Sequence, residues 1–174
     1  MNTVILIGQL FKTVGTVEGR KKLQKMVHIL QYFGVPFNIR FGYLHYGPFS
    51  SELQSQLDIF EAEGLLREEP SVAGNFKTSK FSPQPALLDL VEKVAGTEEA
   101  NFAGMAAELN GKSAQELEAI STLLYLCSLG TPEDKLQEAF ITLKPKFTNV
   151  FEERLKTIVE LRQRYAGGHA LPAV

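Results

Sequence analysis

The stretch that decides the fold is YLHYGPFSSEL, residues 43–53. Over residues 37–46, apolar and aromatic side chains occupy alternate positions, which predicts a β-strand there. The Gly-Pro pair should end this strand, because proline donates no backbone N–H and its φ is fixed. Ser51 and Gln54 have the spacing of a capping box, which predicts that a helix begins here.

The residues around this stretch predict a small α/β unit in the first half of the chain. Leu53, Leu57 and Phe60 recur at the spacing of one buried helix face. The predicted elements, in chain order, are helices over residues 3–14 and 20–33, the strand at 37–46, a helix at 51–63 and a β-hairpin at 66–81. Helix, helix, strand, helix and hairpin is the element order of a winged-helix domain.

The second half of the chain is predicted to be helical throughout. Ser113 and Glu116 have the spacing of a capping box, and Thr131-Pro132 predicts another helix start. The predicted helices span about residues 84–95, 98–109, 114–127, 132–143 and 147–165. We therefore expect a mainly α fold with small β content (α+β), in which a winged-helix unit at 1–82 packs on a helical bundle at 83–166. Residues 167–174 are expected to form a flexible tail.

Composition and charge exclude several classes of protein. The net charge of −2 gives no overall attraction to nucleic acid or to an anionic membrane. The single cysteine, Cys127, excludes an intramolecular disulfide and a multi-cysteine zinc site. The N-terminal apolar run is too short to span a membrane and has no basic residue before it, so we expect a cytoplasmic protein without a membrane contact.

The sequence shows no recognisable enzyme constellation. His28, His45 and His169 lie in different predicted elements and lack the spacing of metal ligands. The glycines fit neither a P-loop nor a dinucleotide fingerprint. We therefore predict no catalytic residue, no metal and no cofactor. Tyr43, His45 and Tyr46 are candidates for an aromatic pocket, although a strand that packs aromatic side chains into a small core needs the same residues.

Two stretches resemble a known family. They are GRKKLQKMVHILQYFG at 19–34 and YLHYGPFSSELQSQLDIFEAEGLL at 43–66. These motifs resemble the N-terminal module of the uncharacterised bacterial YwgA-like proteins and of Panacea-type antitoxin domains. In the second half, LEAISTLLYL at 117–126 and LKPKFTNVFEERLKTIVEL at 143–161 look more like the YwgA-like proteins. The antitoxin resemblance implies a protein partner, by analogy.

The charge of the third predicted helix favours a protein partner over DNA. The segment SSELQSQLDIFEAEGLL carries acidic residues and no lysine or arginine. Phosphate binding depends on cationic side chains, so this helix opposes docking on DNA. We predict a non-enzymatic regulatory or adaptor protein, antitoxin-like or an assembly subunit, that contacts a protein or a second copy of itself. The candidate contact residues are Glu52, Gln56, Asp58 and Glu61.

The alternative function is a DNA-binding transcriptional regulator that does not use its third helix. Residues 1–49 carry a net charge of +5, concentrated at the start of the second helix. A basic cluster of this kind attracts phosphate groups, although it is also common on a solvated helix surface. The candidate DNA contacts are Arg20, Lys21, Lys22 and Lys25 on that helix, with Lys77 and Lys80 on the hairpin.

Overall fold

The computed structural model describes residues 3–73 and 75–165. Its α-helices are α1 Thr3–Val14, α2 Arg20–Tyr32, α3 Ser51–Ala62, α4 Pro85–Ala95, α5 Ala103–Asn110, α6 Ala114–Ser128, α7 Glu133–Leu143 and α8 Phe151–Tyr165, with a 3-10 helix at Pro145–Val150. Its strands are β1 Val17–Glu18, β2 Gly42–Leu44, β3 Gly47–Phe49, β4 Leu66–Ala73 and β5 Phe76–Pro83. The mainly α class with small β content is confirmed.

Two small antiparallel sheets are built on the N-terminal half. One has the strand order β1-β5-β4, so the short strand between α1 and α2 pairs with the second strand of the predicted hairpin. This hairpin is confirmed, with Leu66 opposite Pro83 at its base. The other sheet is the hairpin of β2 and β3, which lies between α2 and α3 in the chain.

The predicted strand over residues 37–46 is wrong for most of its length. Only Gly42–Leu44 forms a strand, and Asn38 has a left-handed φ of 56°. The side chain of Gln31 takes the place of a partner strand. Its amide accepts a hydrogen bond from the Ile39 N–H at 2.9 Å and donates one to the Ile39 carbonyl at 2.8 Å. Backbone groups satisfied by a side chain do not need a ladder.

Gly47-Pro48 does not end a strand, as the sequence predicted, but begins β3. Tyr43 is opposite Pro48 and Leu44 is opposite Gly47, so the chain reverses at His45 and Tyr46. A proline is tolerated here because β3 is an edge strand of a two-stranded hairpin and needs no second ladder.

The N-cap of α3 is Ser50 and not Ser51. The Ser50 hydroxyl accepts a hydrogen bond from the Leu53 N–H at 3.2 Å, whereas Ser51 is exposed in the first turn. In contrast, the capping box predicted at Ser113 and Glu116 is confirmed at the start of α6. The two serines in sequence made the first cap ambiguous by one position.

The helical second half is confirmed, with shifted boundaries. Helix α5 begins at Ala103, about five residues later than predicted, and Pro132 precedes α7 as its N-cap. The predicted helix at 147–165 is a 3-10 helix over its first residues and an α-helix from Phe151. None of the described helices is long and apolar enough to cross a bilayer.

One hydrophobic core joins the two halves of the described chain. Helix α1 packs on α4 and α5, and α2 packs on α6. Fully buried side chains from both halves meet in this core, among them Phe11, Met26, Leu57, Ile120 and Phe140. The boundary proposed at residue 82 stays a prediction. The predicted tail at 167–174 lies outside the described residues.

Candidate functional site

The β2–β3 hairpin is held against the two central helices of the molecule. Strand β3 packs on both α2 and α6. Gly47 comes so close to α6 that a Cβ atom there would lie 3.0 Å from the Thr122 hydroxyl oxygen. Gly47 also has a φ of 83°, in the region that favours glycine. The glycine in the opening stretch is therefore required by both backbone conformation and close packing.

A buried group of charged side chains lies beneath this hairpin. Lys25 on α2, Glu118 on α6 and Lys144 after α7 are each no more than 3% exposed. Lys144 Nζ lies 2.7 Å from Glu118 Oε1. Lys146 is at the surface, and its Nζ lies 3.2 Å from the same oxygen. We refer to Lys25, Glu118, Lys144 and Lys146 as the lysine–glutamate cluster.

Two of these lysines bind the backbone of the hairpin. Lys25 donates to the carbonyl of Pro48, and Lys144 donates to the carbonyl of His45 at 2.7 Å. These bonds satisfy ammonium groups that water cannot reach, as buried polar groups require. They also connect α2, the hairpin and the segment after α7 through one set of contacts.

Burial lowers the pKa of two lysines at this site, Lys25 and Lys21. The pKa of Lys25 is lowered to about 8, chiefly because burial disfavours its charged form, while Glu118 opposes the shift and Lys144 adds to it. Lys21 lies one turn before Lys25 on α2. Its partial burial also lowers its pKa, and Glu118 again opposes the shift. The site is therefore rich in positive charge that one carboxylate only partly balances.

His28 is a further buried titratable group, one turn beyond Lys25 on α2. Its Nδ1 lies 2.9 Å from the Ser121 hydroxyl, and its ring meets Phe41 edge-on at 4.9 Å between centroids. Burial, followed by the charge of Lys25, lowers its pKa to about 3. His28 is therefore neutral at physiological pH and acts as a packed core residue.

The three candidate aromatic residues do not line one pocket. Tyr43 packs on Tyr125 at 5.4 Å between ring centroids, on the α6 side of the hairpin. His45 and Tyr46 are exposed, and their rings meet edge-on at 4.9 Å between centroids. The Lys21 ammonium lies 3.5 Å above the Tyr46 ring, so Tyr46 belongs to the α2 side of the hairpin.

An apolar groove opens between α6 and α7 beside Tyr43. Its volume is about 610 Å³. The apolar residues that line it are Tyr43, Tyr125, Leu126, Leu129, Ala139 and Leu143. Leu129 is 65% exposed and Leu143 is 39% exposed, which is unusual for leucines that lie together. We refer to this feature as the α6–α7 groove.

The candidate DNA-contact residues of α2 are largely engaged within the molecule. Arg20 pairs with Asp58 at 2.6 Å and also binds Glu68. Lys22 donates to the Asn110 carbonyl at 2.5 Å, and Lys25 is buried. Only Lys21 is exposed on the helix surface. Of the two hairpin lysines that complete this candidate set, Lys77 is exposed and Lys80 is half-buried on β5.

The candidate protein-contact residues of α3 are only partly available. Glu52 and Glu61 are exposed, whereas Gln56 is half-buried. Asp58 is exposed but already bound by Arg20. The acidic face of α3 is therefore smaller than the sequence suggested.

Sequence reasoning missed Glu118, Lys144 and the α6–α7 groove. Glu118 and Lys144 are 26 residues apart and meet only in the folded chain. One available signal was a glutamate inside the apolar run of α6, where a buried charge needs a partner. Among the described residues, no group of three His, Cys, Asp or Glu side chains is arranged to hold a metal ion.

Comparison with known proteins gives one informative match. The chain is 33% identical over 159 residues to "Uncharacterized protein YwgA" of Bacillus subtilis (strain 168), a match that covers 89% of this chain and 93% of that protein. No family model and no solved structure matches the chain. The resemblance to Panacea-type antitoxin domains stays a prediction. The resemblance to the YwgA-like proteins is confirmed, and the chain belongs to the YwgA-like family.

Proposed function

We propose that this protein is a non-enzymatic regulatory or adaptor protein of the cytoplasm that acts through protein–protein contacts. An antitoxin-like role or a role as an assembly subunit fits this proposal. Its N-terminal unit is interpreted as a winged helix, because β1 pairs with the second strand of the β4–β5 hairpin beside α2 and α3. Winged helices serve different functions, so the surface must support the assignment.

The α6–α7 groove is the observation that carries the proposal. It exposes Leu129 and Leu143 together beside the aromatic ring of Tyr43. Exposed apolar side chains that cluster in this way mark protein contact sites more often than isolated ones do. The groove is lined by helices, which gives a partner a preformed surface.

The engaged state of the α2 cations favours a protein over DNA. A DNA-binding surface needs cations that can approach phosphate groups. Arg20 is held by carboxylates and Lys25 is buried under the hairpin. The exposed carboxylates of Glu52 and Glu61 on α3 would also repel the duplex.

A co-purification experiment with matched variants tests the proposal. Leu129→Glu places a charge in the α6–α7 groove. The control, Val94→Glu, places the same charge outside the groove, at a comparably exposed valine on α4. A partner captured by the tagged parent from its own cells should be lost with the groove variant and kept with the control. Equal capture by both variants would contradict a role for the groove.

A duplex-binding assay tests the alternative. At about 0.15 M salt the parent should show no appreciable affinity for random DNA. Lys21→Glu and Lys22→Glu keep the buried Lys25 intact and remove two cations of the α2 cluster. Tight, salt-sensitive binding by the parent that this double variant loses would favour the DNA-binding regulator instead.

A further inference from the structure

The charges around Glu118 do not balance. Lys25, Lys144 and Lys146 surround this single carboxylate, and Lys21 lies within electrostatic range of it. In the part of the chain that the structure describes, Glu118 is the only carboxylate within ion-pair distance of any of these ammonium groups. The site therefore holds more positive charge than the protein itself neutralises.

The internal hydrogen bonds do not remove this excess. Lys25 and Lys144 donate to the carbonyls of Pro48 and His45, which are neutral acceptors. Lys144 and Lys146 both approach the same oxygen, Oε1 of Glu118. Since buried charge is costly unless it is paired, a second anion would stabilise the arrangement.

The same site has an open side. The side chain of Lys146 is 55% exposed, and Lys21 is exposed above the Tyr46 ring. A cavity of about 190 Å³ beside Lys21 and Lys25 is lined mainly by Leu44, Tyr46 and Phe49. Lys146 lies outside it, but near enough to Lys21 for its charge to lower the pKa of Lys21. We refer to the exposed space between Lys21 and Lys146 as the mouth of the site. A small oxyanion can enter it without disturbing the buried Lys25 and Lys144 behind it.

We propose that the protein binds a small phosphate-class oxyanion at this mouth, between Lys21 and Lys146, with Lys25 and Lys144 behind them. Ammonium groups bind phosphate oxygens through charge-assisted hydrogen bonds and do not need the planar geometry of arginine. The site is separate from the α6–α7 groove in the residues it uses. The bound anion connects α2, the hairpin and the segment after α7, and so stabilises the contact between the two halves.

The lowered pKa of Lys25 couples this binding to protons. An anion favours the charged form of a nearby lysine and therefore raises its pKa. Lys25 has a pKa of about 8 in the protein without the anion, so binding near that pH takes up protons. Affinity should fall as the pH rises through this value.

Isothermal titration of the full chain with inorganic phosphate and pyrophosphate tests the proposal. The parent should bind saturably, and the heat should differ between buffers of different ionisation enthalpy at about pH 8. Lys21→Gln and Lys146→Gln should each weaken binding by about tenfold or more, through loss of one charge-assisted hydrogen bond. Lys93→Gln removes an exposed lysine of α4 and should bind like the parent.

The following outcomes would overturn the proposal. They are the absence of saturable heat with the parent, equal affinity in the parent, Lys21→Gln and Lys146→Gln, or equal weakening by Lys93→Gln. Equally tight binding of acetate would overturn the phosphate class in favour of a carboxylate ligand. Leu129→Glu should leave phosphate binding unchanged, which keeps this test independent of the proposed protein contact.

Discussion

His28 makes the stability of the fold depend on pH. Its pKa is lowered to about 3 by burial, whereas an ordinary histidine titrates near 6.5. Between these values the unfolded chain binds a proton that the folded chain excludes, so stability is full above about 6.5 and is lost as the pH falls toward 3. The slope should approach about 1.4 kcal/mol per pH unit from this residue.

Urea midpoints measured from pH 7 downward check this prediction. His28→Gln should be less stable than the parent at neutral pH, and the difference should narrow as the pH falls. A constant difference across the range would show that His28 does not titrate between the two states. His45 is exposed, so His45→Gln provides a control that leaves the buried site unchanged.

Gly47 should tolerate no side chain. In Gly47→Ala an alanine must adopt a backbone φ of 83°, and its Cβ lies 3.0 Å from the Thr122 hydroxyl oxygen. We expect the free energy of unfolding to fall by about 1–3 kcal/mol. Gly34 has a φ of 96° but open space around it, so Gly34→Ala measures backbone strain alone. Gly47→Ala should destabilise more than Gly34→Ala in chemical denaturation. Equal losses would show that packing on α6 is not tight.

At the scale of elements, the cap of α3 distinguishes two neighbouring serines. Ser50→Ala removes the hydroxyl that accepts the Leu53 N–H and should cost about 1 kcal/mol. Ser51→Ala changes an exposed first-turn residue and should change stability by no more than about 0.5 kcal/mol. Comparison of the two unfolding midpoints checks this. A larger loss of stability in Ser51→Ala than in Ser50→Ala would instead support Ser51 as the N-cap, as predicted from sequence.

The buried face of α3 gives a second prediction for this element. Leu57 is fully buried, so Leu57→Ala should leave a cavity and cost about 2–5 kcal/mol. Ile59 is on the same helix and is 57% exposed, so Ile59→Ala should cost far less. If denaturant unfolding gave similar losses for both variants, the facing of α3 would be wrong.

At the scale of the whole molecule, local patterns predicted the helices and the β4–β5 hairpin. Their signals are spacing, caps and turns, which need only neighbouring residues. The prediction of a strand at 37–46 was wrong. At Ile39, the side chain of Gln31 on α2 satisfies the backbone groups that a partner strand would bind. A side chain that replaces a partner strand leaves no periodic signal.

The candidate site was harder to predict because it is assembled from distant segments. Lys25 was recognised as part of a basic cluster but was assigned to a surface that would contact DNA. Its bond to the Pro48 carbonyl crosses 23 positions of sequence, and the Glu118–Lys144 pair crosses 26. Charge patterns along one helix do not show which lysine turns inward, since that depends on what packs above it.

The most direct test of a protein contact at the α6–α7 groove is photocrosslinking in living cells. A photoreactive phenylalanine analogue in place of Leu129 stands in the groove, and the same analogue in place of Val94 stands on α4. We expect a discrete covalent adduct with a protein from the first position and none from the second. No adduct at position 129, or the same adducts from both positions, would contradict the proposed function.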